Sequence, residues 1–280
     1  MKIGVITDCF QTDLSDAIRK TAELKLDGVQ IYATTGTFSP DTLTDADIAS
    51  YRKMLKDNDL EISALCGDMG GYGFEIAKDN PERIEKTKRI IDLAETFGVP
   101  VVTTHIGVIP ADKTDPRYPV MLDALTECGR YAKSKGITLA IETGPEKADV
   151  LLAFLQDTRG GVGVNLDPAN FVMITAQDPV QAVYLLKDYI VHTHVKDGKM
   201  FRETDPRILY DVFAKGGIEA LNVSDYFAET PVGTGDVDFP AYLAALKDIG
   251  FDGYLTIECE TDEHPQEDIR TAADYIRKLL

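Results

Sequence analysis

A short β-branched apolar run, a polar turn and a stretch with apolar residues at helical spacing recur along this chain. The strand-like runs are Lys2–Ile6, Gly28–Tyr32, Glu61–Cys66, Pro100–His105, Ile137–Glu142, Val162–Asp167, Ile190–Lys196 and Gly253–Glu258. Helical periodicity follows at about Leu14–Leu24, Asp45–Asp57, Pro81–Phe97, Tyr118–Ser134, Asp149–Gln156, Pro179–Lys187, and from Glu267 to the end. Helix starts carry cap signals: Asp79-Asn80-Pro81-Glu82 before the third helix and Asp178-Pro179 before the sixth. Gly98 and Gly136 fall where helices should stop. One stretch departs from the pattern. Lys199 to Asp238 is rich in Gly, Asp and Glu and holds a single apolar segment, Ile208–Phe213. It reads as an elaborated connection after the seventh strand, and long loops of this kind often carry function.

Alternating strands and helices predict a parallel sheet. Eight such units predict an α/β fold closed into a (β/α)8 TIM barrel, one domain over residues 1–280. The length of 280 residues suits a barrel, which needs about 250. No Gly-rich dinucleotide fingerprint follows the first strand, which counts against an open doubly wound sheet.

Composition narrows the partners. The net charge is −18, and such a surface repels phosphate backbones and anionic headgroups. Nucleic acid and membrane are therefore not expected. The cysteines, Cys9, Cys66, Cys128 and Cys259, are widely separated and form no CxxC pair, so reduced thiols are expected. The N-terminus turns polar too soon for a signal peptide, and no apolar run approaches the roughly 20 residues of a membrane span. A cytoplasmic location is the expectation.

Candidate chemistry sits at the strand ends, where barrels of this kind place their active sites. The fourth run ends in His105, the fifth in Glu142, the sixth in Asp167, the seventh carries His194, and the eighth ends in Glu258. Strand parity supports convergence: His192, His194 and Lys196 share a face, as do Ala140 with Glu142, Asn165 with Asp167, and Thr256 with Glu258. Buried carboxylates in such company call for a cation. A site of three carboxylates and one imidazole suits one hard divalent ion. Manganese stands foremost, with magnesium, cobalt or zinc as alternatives. Structural ion pairing is the competing reading for these acids. His192 reads as a hydrogen-bonded core or supporting residue, Cys66 as packing and His264 as a surface residue. His105 and Lys196 read as substrate contacts, against simpler roles as a strand cap and a solvated lysine.

These residues bring a known pattern with them. Ile141-Glu142-Thr143, Asn165-Leu166-Asp167-Pro168-Ala169-Asn170, His192-Thr193-His194-Val195-Lys196-Asp197, Val232–Phe239 and Gly253–Glu258, in this order, resemble the xylose-isomerase-like superfamily of sugar phosphate isomerases and epimerases. That superfamily takes in ketose 3-epimerases, inosose dehydratases and the endonuclease IV branch. The resemblance covers nearly the whole chain. It implies that Glu142, Asp167, His194 and Glu258 bind the metal, and that Glu142 and Glu258 face each other across a carbohydrate to move protons on opposite faces.

Two positions depart from the ketose 3-epimerases. Asn170 stands where they carry a histidine, and their arginine after the seventh-strand histidine has no counterpart, although Lys196 and Arg202 lie nearby. Asn170, Lys196 and Arg202 are thus expected, with His105, to contact substrate. The endonuclease branch needs more histidines than the four present. The expectation is a metal-dependent sugar isomerase or epimerase. A lyase acting on a keto-sugar or keto-inositol is the nearest rival, and a non-catalytic sugar-binding barrel the rival of another class. The oligomeric state stays open, a homo-oligomer included.

Overall fold

The first strand, β1 (Lys2–Ile6), is exposed only at its first residue, the burial expected of a parallel strand covered on both faces. The same run of buried residues recurs in β2 (Gly28–Tyr32), β3 (Glu61–Cys66), β4 (Val101–Thr104), β5 (Thr138–Glu142), β6 (Val162–Leu166) and β7 (Ile190–Val195). After β7 comes a hairpin of β8 (Asp197–Met200) and β9 (Phe227–Thr230), and later the last barrel strand, β10 (Tyr254–Ile257). The structure is a computed structural model that describes residues 1–215, 222–259 and 264–280. Eight strands close into one parallel barrel in the order β1-β10-β7-β6-β5-β4-β3-β2, as the alternating pattern predicts. Among the described residues no helix is long and apolar enough to cross a membrane.

The principal helices ring the barrel. They are α1 (Leu14–Glu23), α2 (Asp45–Asp57), α3 (Asn80–Phe97), α4 (Arg117–Ser134), α5 (Ala148–Thr158), the single turn α6 (Pro168–Asn170), α7 (Pro179–Leu186), α8 (Pro206–Ala214), α9 (Phe239–Asp248) and α10 (Pro265–Leu279). Asp178 caps α7 as expected, its side chain accepting from the Val180 N–H. Asp79 does not cap α3 with its side chain, and Asn80 instead donates to the Phe74 carbonyl. Gly98 ends α3 in the left-handed region at φ 73°.

The sequence reading omits α9. Its signals are present, since Asp238 accepts from the Ala241 N–H, Pro240 opens the first turn, and Phe239, Tyr242, Leu243 and Leu246 are buried. They follow directly on a Gly/Asp-rich stretch that reads as loop. The predicted Lys199–Asp238 connection is also more ordered than expected. Asp197 pairs with Thr230 and Met200 with Phe227 in an antiparallel ladder, and the apolar segment at Ile208 lies in α8. Residues 216–221 of that connection lie outside the described residues.

One side chain ties this excursion down. The buried Asp197 carboxylate accepts four backbone N–H groups: Gly198 and Val237 on Oδ1 at 2.9 and 3.1 Å, and Gly233 and Gly235 on Oδ2 at 2.8 and 2.9 Å. A Cβ at Gly235 would lie 2.1 Å from Asp197 Oδ1, so the loop approaches this closely only because residue 235 is glycine. Hydrogen bonds to a charged acceptor are stronger than neutral ones, and the donors would otherwise be left unsatisfied. Asp197→Ala is therefore expected to lower the unfolding free energy by roughly 3–5 kcal/mol in urea titration, and Asp197→Asn by about 2 kcal/mol. A loss below about 1 kcal/mol for Asp197→Ala would mean that the loop is held by other contacts.

Candidate metal centre

Four strand ends deliver the expected groups to one point. Glu142 ends β5, Asp167 follows β6, His194 lies in β7 and Glu258 follows β10. One ligand atom from each lies within 4.8 Å of all the others. His194 Nδ1 is 2.7 Å from Glu258 Oε2, 3.4 Å from Glu142 Oε1 and 3.6 Å from Asp167 Oδ2. Asp167 and His194 are sealed from solvent, and Glu142 and Glu258 nearly so.

Three of these atoms, Asp167 Oδ2, His194 Nδ1 and Glu258 Oε2, are buried yet make no hydrogen bond of acceptable geometry. Buried polar atoms are rarely left so, and an uncompensated buried carboxylate costs several kcal/mol. A cation among them would engage all three, so the donor set fits a divalent ion with oxygen-rich ligation and one imidazole.

The other atoms of these side chains are already engaged. Asp167 Oδ1 accepts from the Ala169 and Asn170 N–H groups at 2.8 and 3.1 Å, which leaves Oδ2 to face inward. The Asp167 N–H donates to Thr143 Oγ1, whose hydroxyl donates back to the Asp167 carbonyl, lacing β5 to β6. Hydrogen positions below the site follow from the network. Thr256 Oγ1 donates to His192 Nε2 at 3.0 Å, and His192 Nδ1–H donates to Asn165 Oδ1 at 2.9 Å. Asn165 Nδ2 then donates to Glu142 Oε2 at 3.2 Å. Gln30 Oε1 at 3.2 Å and Asn165 Nδ2 at 3.1 Å engage His194 Nε2 from behind, which directs Nδ1 at the carboxylates. His192 is thus a supporting core residue. Burial, with His194 beside it, holds its imidazole well below the usual range and neutral.

Beside the four converging side chains lie two cationic ones. Lys196 Nζ donates to Glu258 Oε1 at 2.9 Å and stands 3.7 Å from Glu229 Oε2. His105 Nε2 lies 3.6 Å from Glu142 Oε1, while its Nδ1 lies 3.2 Å from Asp68 Oδ2. Burial opposes protonation of His105, but Glu142 and Asp68 outweigh it and raise the pKa to about 10. Asn170 sits beside the cluster, but its side-chain amide donates to the Thr143 carbonyl at 2.9 Å. Arg202 is placed elsewhere, exposed on the hairpin, with its guanidinium 5.4 Å from the Tyr226 ring centroid.

A cavity of about 230 Å³ opens beside Glu258 and is lined by Asp8 and Tyr32, with Cys9 and Cys259 at its wall. Phe171 is fully buried, and His264 is on the surface as expected. On the other side α8 reaches over the loops after β3 and β4. Arg207 pairs there with the buried Glu75, which also takes Arg117 at 3.2 Å and the Val108 N–H at 2.8 Å. Sequence reasoning missed Gln30, Asp68, Glu75 and Glu229. Only Asp68 carried a usable signal, an acid just past a strand end.

The xylose isomerase-like TIM barrel family model matches residues 18–279. An uncharacterised protein of Methanocaldococcus jannaschii is 22% identical over 203 residues, 70% of this chain and 65% of its own length, so the match spans less than two thirds of that relative. A xylose isomerase domain protein from Planctomyces limnophilus superposes with TM-score 0.79 at 26% identity, over 99% of this chain and 96% of that one. The probable 3-DHS dehydratase AsbF from Bacillus anthracis gives 0.77 at 17%, over 99% of both chains. A D-tagatose 3-epimerase-like protein gives 0.75 at 21%, over 100% of this chain and 97% of its own.

The charge balance dictates how this centre responds to pH. Burial works against a charged His194, but Glu142 and Glu258 carry its pKa well above the usual value. Burial also raises Asp167. Glu258 goes the other way, because Lys196 and His194 outweigh its burial and hold it well below the usual carboxylate range. In the metal-free chain His194 is thus protonated at neutral pH, and ligation must displace that proton. Manganese affinity is expected to fall about tenfold per unit as pH drops from 7 to 6. Calorimetric titration in two buffers of different ionisation enthalpy should show proton release. A flat pH profile without release would remove His194 from the ligand set.

Proposed function

This chain belongs to the xylose isomerase-like TIM barrel family, and we propose that it is a divalent-metal-dependent isomerase or epimerase acting on a sugar or sugar derivative. The observation that carries this reading is the convergence of Glu142, Asp167, His194 and Glu258, with three of their buried atoms left without hydrogen bonds. A cation held there would supply Lewis-acid stabilisation of the oxygen beside the reacting carbon. Glu142 takes the carbon-bound proton on its carboxylate, beside His105. Asn165, hydrogen-bonded to Oε2, keeps that carboxylate in place. Glu258 serves the opposite face, with Lys196 against its Oε1. The acidic surroundings, Asp8, Asp68, Glu142 and Glu258, favour an uncharged polyol over a phosphorylated one.

A second reading rests on the Lys196–Glu258 pair. Lys196 puts an N–H donor on the side where inversion needs a free carboxylate. Such a donor suits protonation of a departing hydroxyl, and the reaction would then be a dehydration of a keto-sugar or keto-inositol.

The test has two parts. Elemental mass spectrometry after dialysis against manganese should find about one equivalent in the wild type, lost in Asp167→Asn and His194→Ala. The loaded protein is then offered D-allulose, D-fructose, keto-inositols and 3-DHS, with products scored by mass. An isomer keeps the mass of its substrate, whereas dehydration removes water. Glu142→Gln is expected to lower kcat by roughly 10²–10⁴-fold. A wild type that binds no metal, or a Glu142→Gln variant at full rate, would defeat the proposal.

A further inference from the structure

β3 and β4 pair in parallel, with Leu65 opposite Val102 and Cys66 opposite Thr103. Two residues further on, the same register brings Asp68 level with His105 on the rim. Their side chains meet, with Asp68 Oδ2 3.2 Å from His105 Nδ1. Asp68 is itself held from behind, since its Oδ1 accepts from the Gly70 N–H at 2.9 Å. The far nitrogen of the ring, Nε2, faces Glu142 Oε1 across 3.6 Å, too far for a direct hydrogen bond. Both side chains are partly exposed, His105 by 35% and Asp68 by 23%. His105 thus has one nitrogen anchored and the other presented where a substrate oxygen beside Glu142 would lie.

We propose that Asp68 is a positioning residue: its hydrogen bond to Nδ1 fixes the His105 ring so that Nε2–H is offered to the substrate oxygen next to Glu142. This rests on the proposed role of Glu142. An imidazole without such a partner can turn about its χ angles and exchange its two nitrogens, and the donor is then misplaced. Misplacement of about 1 Å at a reacting group lowers rate more than affinity. Asp68 acts through His105, so its removal should cost nothing further once His105 is gone.

The test uses full-length, magnesium-loaded protein labelled with 15N-histidine. The chain has four histidines, so His105→Gln identifies the His105 signals by their loss. A slowly exchanging Nδ1 proton on His105 is expected in the wild type. It should be retained in Asp68→Asn, whose amide oxygen can still accept, and absent in Asp68→Ala. With the panel compound that is turned over, Asp68→Ala should lower kcat at least about tenfold while KM moves less than about threefold. Asp68→Asn should recover part of that loss. The double variant Asp68→Ala/His105→Gln should be no slower than His105→Gln alone. Absence of the Nδ1 proton in the wild type, or additive losses in the double variant, would overturn the proposal. Metal content is read on every variant, so a lost signal is separated from a lost centre. If no panel compound were turned over, the proposed function would fail and the Nδ1 proton alone would decide the positioning.

Discussion

Three carboxylates pressed against one imidazole at the end of a barrel cannot all be buried and charged without compensation, and much of the surrounding structure answers that constraint. The barrel axis beneath the cluster is unusually polar. Gln30, Thr103, Asn165, His192 and Thr256 are all buried there, where bulky aliphatic layers would otherwise fill a barrel. Each has a partner, and the chain of bonds from Thr256 through His192 and Asn165 ends on Glu142. A second arm runs from Thr103 through Gln30 to His194. These bonds occupy the rear atoms of Glu142 and His194, so that Glu142 Oε1 and His194 Nδ1 are left to converge.

The same economy of donors and acceptors shapes the periphery. Asp197 follows directly on Lys196 in sequence, yet its carboxylate faces away from the centre, into a ring of backbone N–H groups. It thereby fixes the start of the hairpin and the return of the chain toward α9. Lys196 sits between β7 and that fixed point, which limits where its ammonium can reach. Glu75 plays a comparable part on the opposite side, drawing Arg207 of α8 and Arg117 of α4 onto the loops after β3 and β4. The long excursion after β7 is therefore a wall of the site, anchored at both sides by buried carboxylates.

The two proposed proton-transfer residues are not equivalent. Glu258 has one oxygen on Lys196 and the other in the cluster, and two cationic neighbours favour its charged form. Glu142 has an amide on one oxygen and a histidine near the other, at a distance that leaves space for a substrate atom. A difference of this kind between two carboxylates commonly separates the base from its partner. It is also the feature on which isomerisation and elimination part company, since both begin with proton loss and differ in what the opposite side delivers.

The sequence by itself determined the barrel and the four converging groups. Parallel strands buried on both faces must read as apolar runs, and strand parity dictates which side chains turn inward. That is why Glu142, Asp167, His194 and Glu258 were legible from position alone, as was the second layer at His192. Helix α9 was concealed only by the Gly/Asp-rich stretch before it. What tertiary structure alone decided is which residues from different strands stand side by side. Asp68 reaches His105 through the register between β3 and β4. Glu229 comes near Lys196 because an antiparallel hairpin folds back. Asn170 turned to a carbonyl and Arg202 to the half-buried Tyr226 ring, although Asn170 lies three residues after Asp167 and Arg202 eight after His194. Neighbourhood in sequence fixes distance along the chain. Hydrogen-bond partners are chosen by closure of the barrel and by the requirement that each buried polar atom be satisfied.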